Sequence, residues 1–356
     1  MTRFPWLDPA SNLSDQARLA AKLLKGFEEL TGLRVEDVTV GAAAKQVVHR
    51  DGAMSLYHYL PRVEAPFRVP VLIIYALFNR YYMLDLQPDR SLVGHLLDRG
   101  LDVYLIDWGY PGRGDRWLTL DDYVNGYIDD CVQVVRERRQ VDKVNLLGVC
   151  QGGVSALCYG ALHPEKVETL TTMVAPVDFH AGDSLVATWI RAADVDTAVD
   201  ALGMIPGEMI ALGFSMRSVF ERNLRKYLDL VEFADDAERL RNFLRMEKWI
   251  YDTPDVPGET YRQWIKDFYQ DNKLVKGEVE LGGRRVDLGS VRMPVLNVYA
   301  EQDDFIPPES AAALERYVGT DDYTAHSFRV GHIGMYVSGR AQRELPPVLA
   351  GWLRER

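Results

Sequence analysis

A chain of 356 residues with 47% hydrophobic and 26% charged residues can bury a large core and has the make-up of a globular protein. Its net charge of −11 argues against nucleic acid as a main partner, because phosphate binding needs a basic face. Three cysteines, an odd and low number, exclude a disulfide framework and point to a reducing compartment.

The N-terminus, Met1-Thr2-Arg3-Phe4-Pro5-Trp6, lacks the apolar core of a signal peptide. Ser14 is a predicted N-cap for a helix that carries Leu19, Leu23, Phe27 and Leu30 at helical spacing and ends at Gly32. Lys45 to His49 and Met54 to Tyr59 alternate as strands around the turn signal Asp51-Gly52, with His49 and His58 read as structural. Val69 to Ala76 is a continuous apolar run of the kind found in a central parallel strand. The longest purely apolar run, Val71 to Phe78, is far short of the roughly 20 residues of a membrane span, so no transmembrane segment is expected. Ser91 to Arg99 reads as a helix, Leu101 to Asp107 as a strand and Leu120 to Arg138 as a helix bearing Cys131 on its apolar side. The basic cluster Arg136-Glu137-Arg138-Arg139 suits the C-terminal end of that helix.

Lys143 to Leu147 has strand character, Val154 to Leu162 helical character, and Gly148-Val149-Cys150-Gln151-Gly152-Gly153 lies between them. Gly-x-Cys-x-Gly between a strand and a helix is the nucleophile elbow of an α/β-hydrolase, with Cys in the usual Ser position. The glycines let strand and helix pass closely, and the helix N-terminus favours thiolate. The alternative is a buried structural thiol at an ordinary turn. The doubled glycine and two later features weigh against that alternative. Cys131 and Cys158 are read as buried small hydrophobes. In this fold one oxyanion-hole N–H comes from the residue after the nucleophile, Gln151, and the other from the loop after the strand Val69 to Ala76. The sequence leaves the second donor open within Leu77 to Asn79, a stretch centred on Phe78.

Val167 to Ala175 is a further strand, so strands and helices alternate from Val69 to Ala175 and imply a mostly parallel sheet with helices on both faces. From 177 to 288 the chain reads as helices and loops and is strongly apolar, at Trp189, Leu202, Met209, Leu212 and Phe220 among others. This is the expected cap insertion, with 1–176 and 289–356 as the hydrolase-like core and its N-terminal helical extension. Ser215 lacks the second glycine and the preceding strand of an elbow. The α/β pattern resumes at Val295 to Ala300, followed by Glu301-Gln302-Asp303-Asp304, where this fold keeps its carboxylate; by spacing both aspartates qualify. His326 to Val330 is the last predicted strand, and His332, between Gly331 and Gly334, suits the catalytic base. His95, His163, His180 and His326 lack that context. No Cys or His spacing suggests a metal, and no cofactor is expected.

These motifs resemble those of the polyhydroxyalkanoate synthases over nearly the whole chain. Gly148 to Gly153 resembles the family's Cys-containing lipase-like box. Asn79-Arg80-Tyr81-Tyr82-Met83-Leu84-Asp85-Leu86, Lys248-Trp249-Ile250-Tyr251-Asp252 and Asp255-Val256-Pro257-Gly258 resemble further signatures, and Gly331-His332-Ile333-Gly334 its His motif. Asp303 aligns with the family's catalytic Asp, while Asp304 stands where the family commonly has His. The resemblance implies Cys150, Asp303 and His332 as the catalytic set, with Asp303 chiefly activating the attacking hydroxyl. It implies polymerisation of (R)-3-hydroxyacyl-CoA, chiefly 3-hydroxybutyryl-CoA, into a growing polyester with release of CoA. The short chain resembles the class III enzymes, with class IV next. This implies a second small synthase subunit, a homodimer of catalytic subunits, and a cytoplasmic home on the storage-granule surface. The rivals are a thiol-dependent α/β-hydrolase of the dienelactone-hydrolase type and a non-catalytic granule-binding protein.

Overall fold

The computed structural model describes residues 38–182, 184–216 and 236–356, without the side chains of 186 and 214–216. The predicted helix from Ser14 to Gly32, and Phe220, lie outside the described residues. Two compact units are present: 1–40 with 211–251, and 41–210 with 252–356. In the first, the helix Ala237–Tyr251 donates hydrogen bonds from Arg245 and Lys248 to the carbonyls of Thr39 and Val38.

The second unit is built on an eight-stranded sheet. Its strands are β1 (Lys45–Asp51), β2 (Met54–Tyr59), β3 (Val71–Ile74), β4 (Val103–Asp107), β5 (Val144–Val149), β6 (Val167–Met173), β7 (Val295–Ala300) and β8 (Tyr323–Phe328). They lie in the order β1-β2-β4-β3-β5-β6-β7-β8. β2 runs antiparallel to both its neighbours, and every other pairing is parallel. The sequence pattern explains this division. β3, β4 and β5 are buried at every position, as strands covered on both faces must be, whereas β1 and β8 at the edges are rich in polar residues and mostly half-buried or exposed. The Asp51-Gly52 turn joins β1 to β2, with Gly52 at φ 53°.

Helices α1 (Leu92–Asp98), α2 (Asp129–Arg139), α3 (Gln151–Leu162) and α4 (Gly339–Arg354) are among those that flank the sheet. Ser91 caps α1 by accepting from the Gly94 N–H, at 2.8 Å. The helix predicted from Leu120 is interrupted: Asp122–Ile128 is π-helical, and only then does α2 begin. The basic run at the end of α2 has a structural partner, since Arg139 Nε lies 2.8 Å from the fully buried Asp102, which also meets His58 Nε2 at 2.8 Å. Between β6 and β7 the described residues are mainly helical. Two short antiparallel pairs interrupt it: Met204–Ile205 with Val256–Pro257, and Glu280–Leu281 with Arg284–Arg285. The first pair brings the two ends of the segment 206–255 together. Among the described residues no helix is long and apolar enough to cross a membrane.

α3 is buried along its entire length, which places it in the core beside β3 and β5. That packing has no room for a side chain at two glycines. A Cβ on Gly152 would lie 2.1 Å from the Ile74 carbonyl oxygen, and one on Gly148 would lie 2.5 Å from the Gly153 Cα. Gly152→Ala should therefore destabilise the fold by about 1–3 kcal/mol in urea unfolding, the usual range for overpacking. An unchanged midpoint would show that helix and strand can separate at no cost.

Candidate active site

Cys150 sits between the end of β5 and the first residue of α3, at φ 54° and ψ −123°. This is a disfavoured backbone for a residue with a Cβ. It is fixed from both sides: the Cys150 N–H donates to the Met173 carbonyl at 2.8 Å, and its own carbonyl accepts from the Gly153 N–H at 2.9 Å. Cys150 is part-exposed, unlike Cys131 and Cys158, which are buried. Burial raises the thiols of both, that of Cys158 to about 12.

His332 follows β8 on the loop predicted for it and is buried. Its Nδ1–H donates to Asp303 Oδ2 at 2.7 Å. The other Asp303 oxygen accepts from the N–H groups of Phe305 and Ile306, at 2.9 and 2.8 Å. Spacing left Asp303 and Asp304 equivalent; the turn after β7 separates them, placing Asp303 buried against His332 and Asp304 exposed. Burial on its own would lower the pKa of His332. The Asp303 carboxylate and the Cys150 sulfur act on it through charge and hydrogen bonding, and together they raise it from 6.5 to about 10.

The loop after β3 faces the elbow. The Leu77 N–H is already used: it donates to the Gln151 side-chain oxygen at 2.9 Å. Leu77 thus drops out of the three residues among which the second oxyanion donor was left open. Among the described residues the N–H groups of the other two, Phe78 and Asn79, have no acceptor, and neither has that of Gln151, the residue after the nucleophile. The same loop is braced by the segment Asn79 to Leu86. Arg80 is buried, pairs with Asp107 at 3.0 Å and donates to the Gly109 carbonyl at 2.8 Å. Tyr82 donates to Asp252 at 2.8 Å, and Asp85 accepts from the Ala43 N–H and the Ser91 hydroxyl.

An aromatic wall adjoins the loop. Phe78 meets Tyr261 and Trp264, each with ring centroids 6.0 Å apart, and Trp264 continues the contact to Phe179 and Phe268. Tyr269, on the same π-helical stretch Trp264–Gln270, is held by the His180 ring against its carbonyl, and burial, with the proximity of Cys150, pushes its phenol pKa up. Two residues near Cys150 escaped the sequence reading: Tyr269, and Tyr336, whose hydroxyl lies 3.2 Å from His332 Nε2. The four-residue spacing of His332 and Tyr336 was visible, but only the helical turn Gly334–Val337 brings them together. Three of the other six histidines have polar partners of a structural kind: His58 on Asp102, His163 on Asn125 and His180 on the Tyr269 carbonyl. Among the described residues no group of His, Cys, Asp and Glu is placed to hold a metal.

The arrangement offers a thiol on a strained turn, a buried base with a carboxylate behind it, and unpaired backbone amides at Gln151 and in the loop after β3. Such a set can support acyl transfer through a covalent thioester.

Comparison with known proteins bears on the fold and the family. Residues 69–337 match the family model of the alpha/beta hydrolase fold, and residues 15–96 match that of the "Poly-beta-hydroxybutyrate polymerase (PhaC) N-terminus". A "Poly(3-hydroxyalkanoate) polymerase subunit PhaC" of Synechocystis sp. is 53% identical over 97% of this chain and 93% of its own length. One of the same name from Allochromatium vinosum is 51% identical over 94% of each chain. Among solved structures, a monoacylglycerol lipase of Paleococcus ferrophilus superposes with a TM-score of 0.51 at 16% identity, over 81% of this chain and 95% of its own, a likeness of fold alone.

The three cysteines differ in accessibility, and alkylation reads that difference. Brief treatment of the folded protein with iodoacetamide should give a single adduct, at Cys150, by peptide mass spectrometry. Labelling of Cys131 or Cys158 at a comparable rate would contradict the burial described above.

Proposed function

The chain belongs to the poly(3-hydroxyalkanoate) polymerases, which are acyltransferases, and we propose that it polymerises (R)-3-hydroxyacyl-CoA, chiefly 3-hydroxybutyryl-CoA, through an acyl-Cys150 intermediate. The observation that carries the mechanism is the line from Cys150 through His332 to the buried Asp303, with 2.7 Å between the last two.

In this reading His332 takes the Cys150 proton, and the sulfur attacks the thioester carbonyl. A sulfur–carbon bond forms. The tetrahedral oxyanion rests on the N–H groups of Gln151 and Phe78. The bond to the CoA sulfur then breaks, and CoA leaves with the proton from His332. In the second half a 3-hydroxyl attacks acyl-Cys150, gives its proton to His332, and Cys150 departs and is reprotonated. Exchange of one thioester for another is nearly isoenergetic, so the acyl group stays activated until an alcohol takes it. Water must be kept from it, and the wall formed by Phe78, Trp264 and Phe268 supports that exclusion. Of the segment expected as a cap from 177 to 288, the stretch 252–288, which carries Trp264 and Phe268, is assigned the same covering role.

Asp303 acts through His332 in this proposal and not directly on the attacking hydroxyl, which is the role the family resemblance suggested. Both of its oxygens already accept hydrogen bonds, and it is buried behind the ring. We further assign to the chain a small second synthase subunit, assembly as a homodimer, and residence on the polymer granule in the cytoplasm. The word "subunit" in the relatives' names supports the first of these.

The test is incubation of the purified chain, with and without the second subunit, with (R)-3-hydroxybutyryl-CoA. CoA release accompanied by high-mass polyester is expected. CoA release with only free hydroxy acid would make the protein a thiol-dependent hydrolase, and no acylation under any condition would leave a granule-binding protein. Cys150→Ala should give neither acyl-enzyme nor polymer. Asp303→Asn should slow acylation and elongation to similar extents, each by about 10²–10⁴-fold, the usual yield of positioned acid–base catalysis. Loss of elongation with acylation spared would return Asp303 to the hydroxyl.

A further inference from the structure

Tyr336 is the one side chain, besides Cys150 and Asp303, for which a polar contact with the His332 ring is recorded among the described residues. It lies on the turn Gly334–Val337, four residues after His332, and is 2% exposed. The backbone fixes the pair tightly. The Tyr336 N–H donates to the Ile333 carbonyl at 3.0 Å, the Met335 N–H donates to the His332 carbonyl at 3.2 Å, and the Tyr336 carbonyl accepts from the Gln342 side chain. The phenol ring meets Tyr75 edge-on at 6.4 Å and the imidazole at 5.7 Å. Its hydroxyl, 3.2 Å from Nε2, has no other recorded hydrogen-bond partner among the described residues.

Nδ1 of His332 is committed to Asp303, so Nε2 is the nitrogen left to exchange protons with Cys150. Nε2 has a single in-plane site. The Tyr336 hydroxyl and the Cys150 sulfur both address it. A phenol hydroxyl can accept from an imidazolium N–H and donate to a neutral imidazole nitrogen without changing charge, which a carboxylate or an ammonium cannot do. Burial also keeps this phenol neutral, with its pKa driven well above the usual 10, so it remains a donor throughout the working range.

We infer that the Tyr336 hydroxyl is a positioning group that accepts from Nε2 of His332, stabilising the imidazolium that forms when Cys150 gives up its proton and holding the ring in place when the sulfur is acylated. This rests on the acyl-cysteine reading given above. The groups that face it are His332, Cys150, Asp303 and Tyr75. The second half of its role follows from chemistry. Acyl-Cys150 carries no charge and no proton, so Nε2 loses its sulfur partner when the incoming hydroxyl needs a base. Tyr336 is then the remaining hydrogen bond on that side of the ring.

The experiment is the pH dependence of Cys150 alkylation by iodoacetamide in the purified chain, for wild type and Tyr336→Phe, which keeps the ring and removes the hydroxyl. It needs neither substrate nor second subunit. For Tyr336→Phe the midpoint should move up by about one pH unit, with about a tenfold loss of rate at pH 7, the size expected for one hydrogen bond to a charged group. Melting should change little, and Cys131 and Cys158 should stay unlabelled. In turnover, kcat for polymer formation should fall by more than the single-turnover rate of acylation. A profile superimposable on that of wild type would overturn the inference and leave Tyr336 as packing. Wild-type Cys150 no more reactive than a free thiol would instead overturn the acyl-cysteine reading itself. If Tyr336→Phe labels at Cys131 or Cys158 and is thus unfolding, Tyr336→Met, of similar volume and also without the hydroxyl, carries the same two outcomes.

Discussion

A residue with a Cβ held at φ 54° and ψ −123° costs on the order of 1–3 kcal/mol, and the surroundings of Cys150 are arranged to enforce that conformation. Gly148 and Gly152 let α3 come down on β3 and β5 at a distance that any side chain would prevent. The Cys150 N–H is tied to Met173 at the end of β6, and the residue that follows, Val174, is itself at φ 45°, an unusual conformation for a β-branched side chain. Val174 is held in turn by its N–H on the Val298 carbonyl, at 2.8 Å. The strain at the elbow is thus shared along β5, β6 and β7. β7 also carries the turn that presents Asp303. Backbone geometry at the nucleophile and placement of the carboxylate are therefore two ends of one packed element.

The electrostatics depend on the same burial. Asp303 is desolvated and would be costly if it were not satisfied by the Phe305 and Ile306 N–H groups and by His332. Once satisfied, it holds a fixed negative charge behind the imidazole, where little water is present to screen it. The proposed reaction makes a particular use of this. A thiol exchanges readily with a thioester, but the acyl-enzyme must then survive until an alcohol arrives. Two of the neutral residues near Cys150, Tyr269 and Tyr336, are tyrosines, and a tyrosine hydroxyl can position a base without offering an anion that would itself compete for the acyl group.

Much of this was legible in the sequence because it is local. The elbow, the alternation of strand and helix, and the His between glycines are patterns within about ten residues, and each was found where expected. Boundaries shifted by a few residues: the last strand is Tyr323–Phe328 instead of His326 to Val330, since register with β7 decides it. The helix predicted from Leu120 to Arg138 is divided by a π-helical stretch that no periodicity signals. What escaped was contact across long separations. Spacing could not separate Asp303 from Asp304. Nor could it show that the Gln151 side chain takes the Leu77 N–H across 74 positions and so narrows the oxyanion donors. Tyr336 was overlooked for a different reason: a tyrosine four residues from a histidine is common, and only the direction of the turn gives the pair meaning.

The segment Asn79 to Leu86 shows how residues that do no chemistry can still be required by it. Oxyanion stabilisation works when the donors are in place before charge develops, because reorganising them in the transition state would consume the gain. The Phe78 amide is on a loop, the least rigid kind of support. Here the residues next to it remove that freedom. Arg80 is clamped between Asp107 and the Gly109 carbonyl, with the Tyr110 ring 4.2 Å from its guanidinium. Tyr82 and Tyr110 both donate to Asp252, and Asp85 gathers Ala43 and Ser91. On the other side the Gln151 side chain ties the loop to the elbow helix, so that the Phe78 and Gln151 amides are held by one another's supports. A simple thiol hydrolase needs the same amides. A polymerase repeats the step at every monomer, so any looseness there is multiplied by the length of the chain it makes.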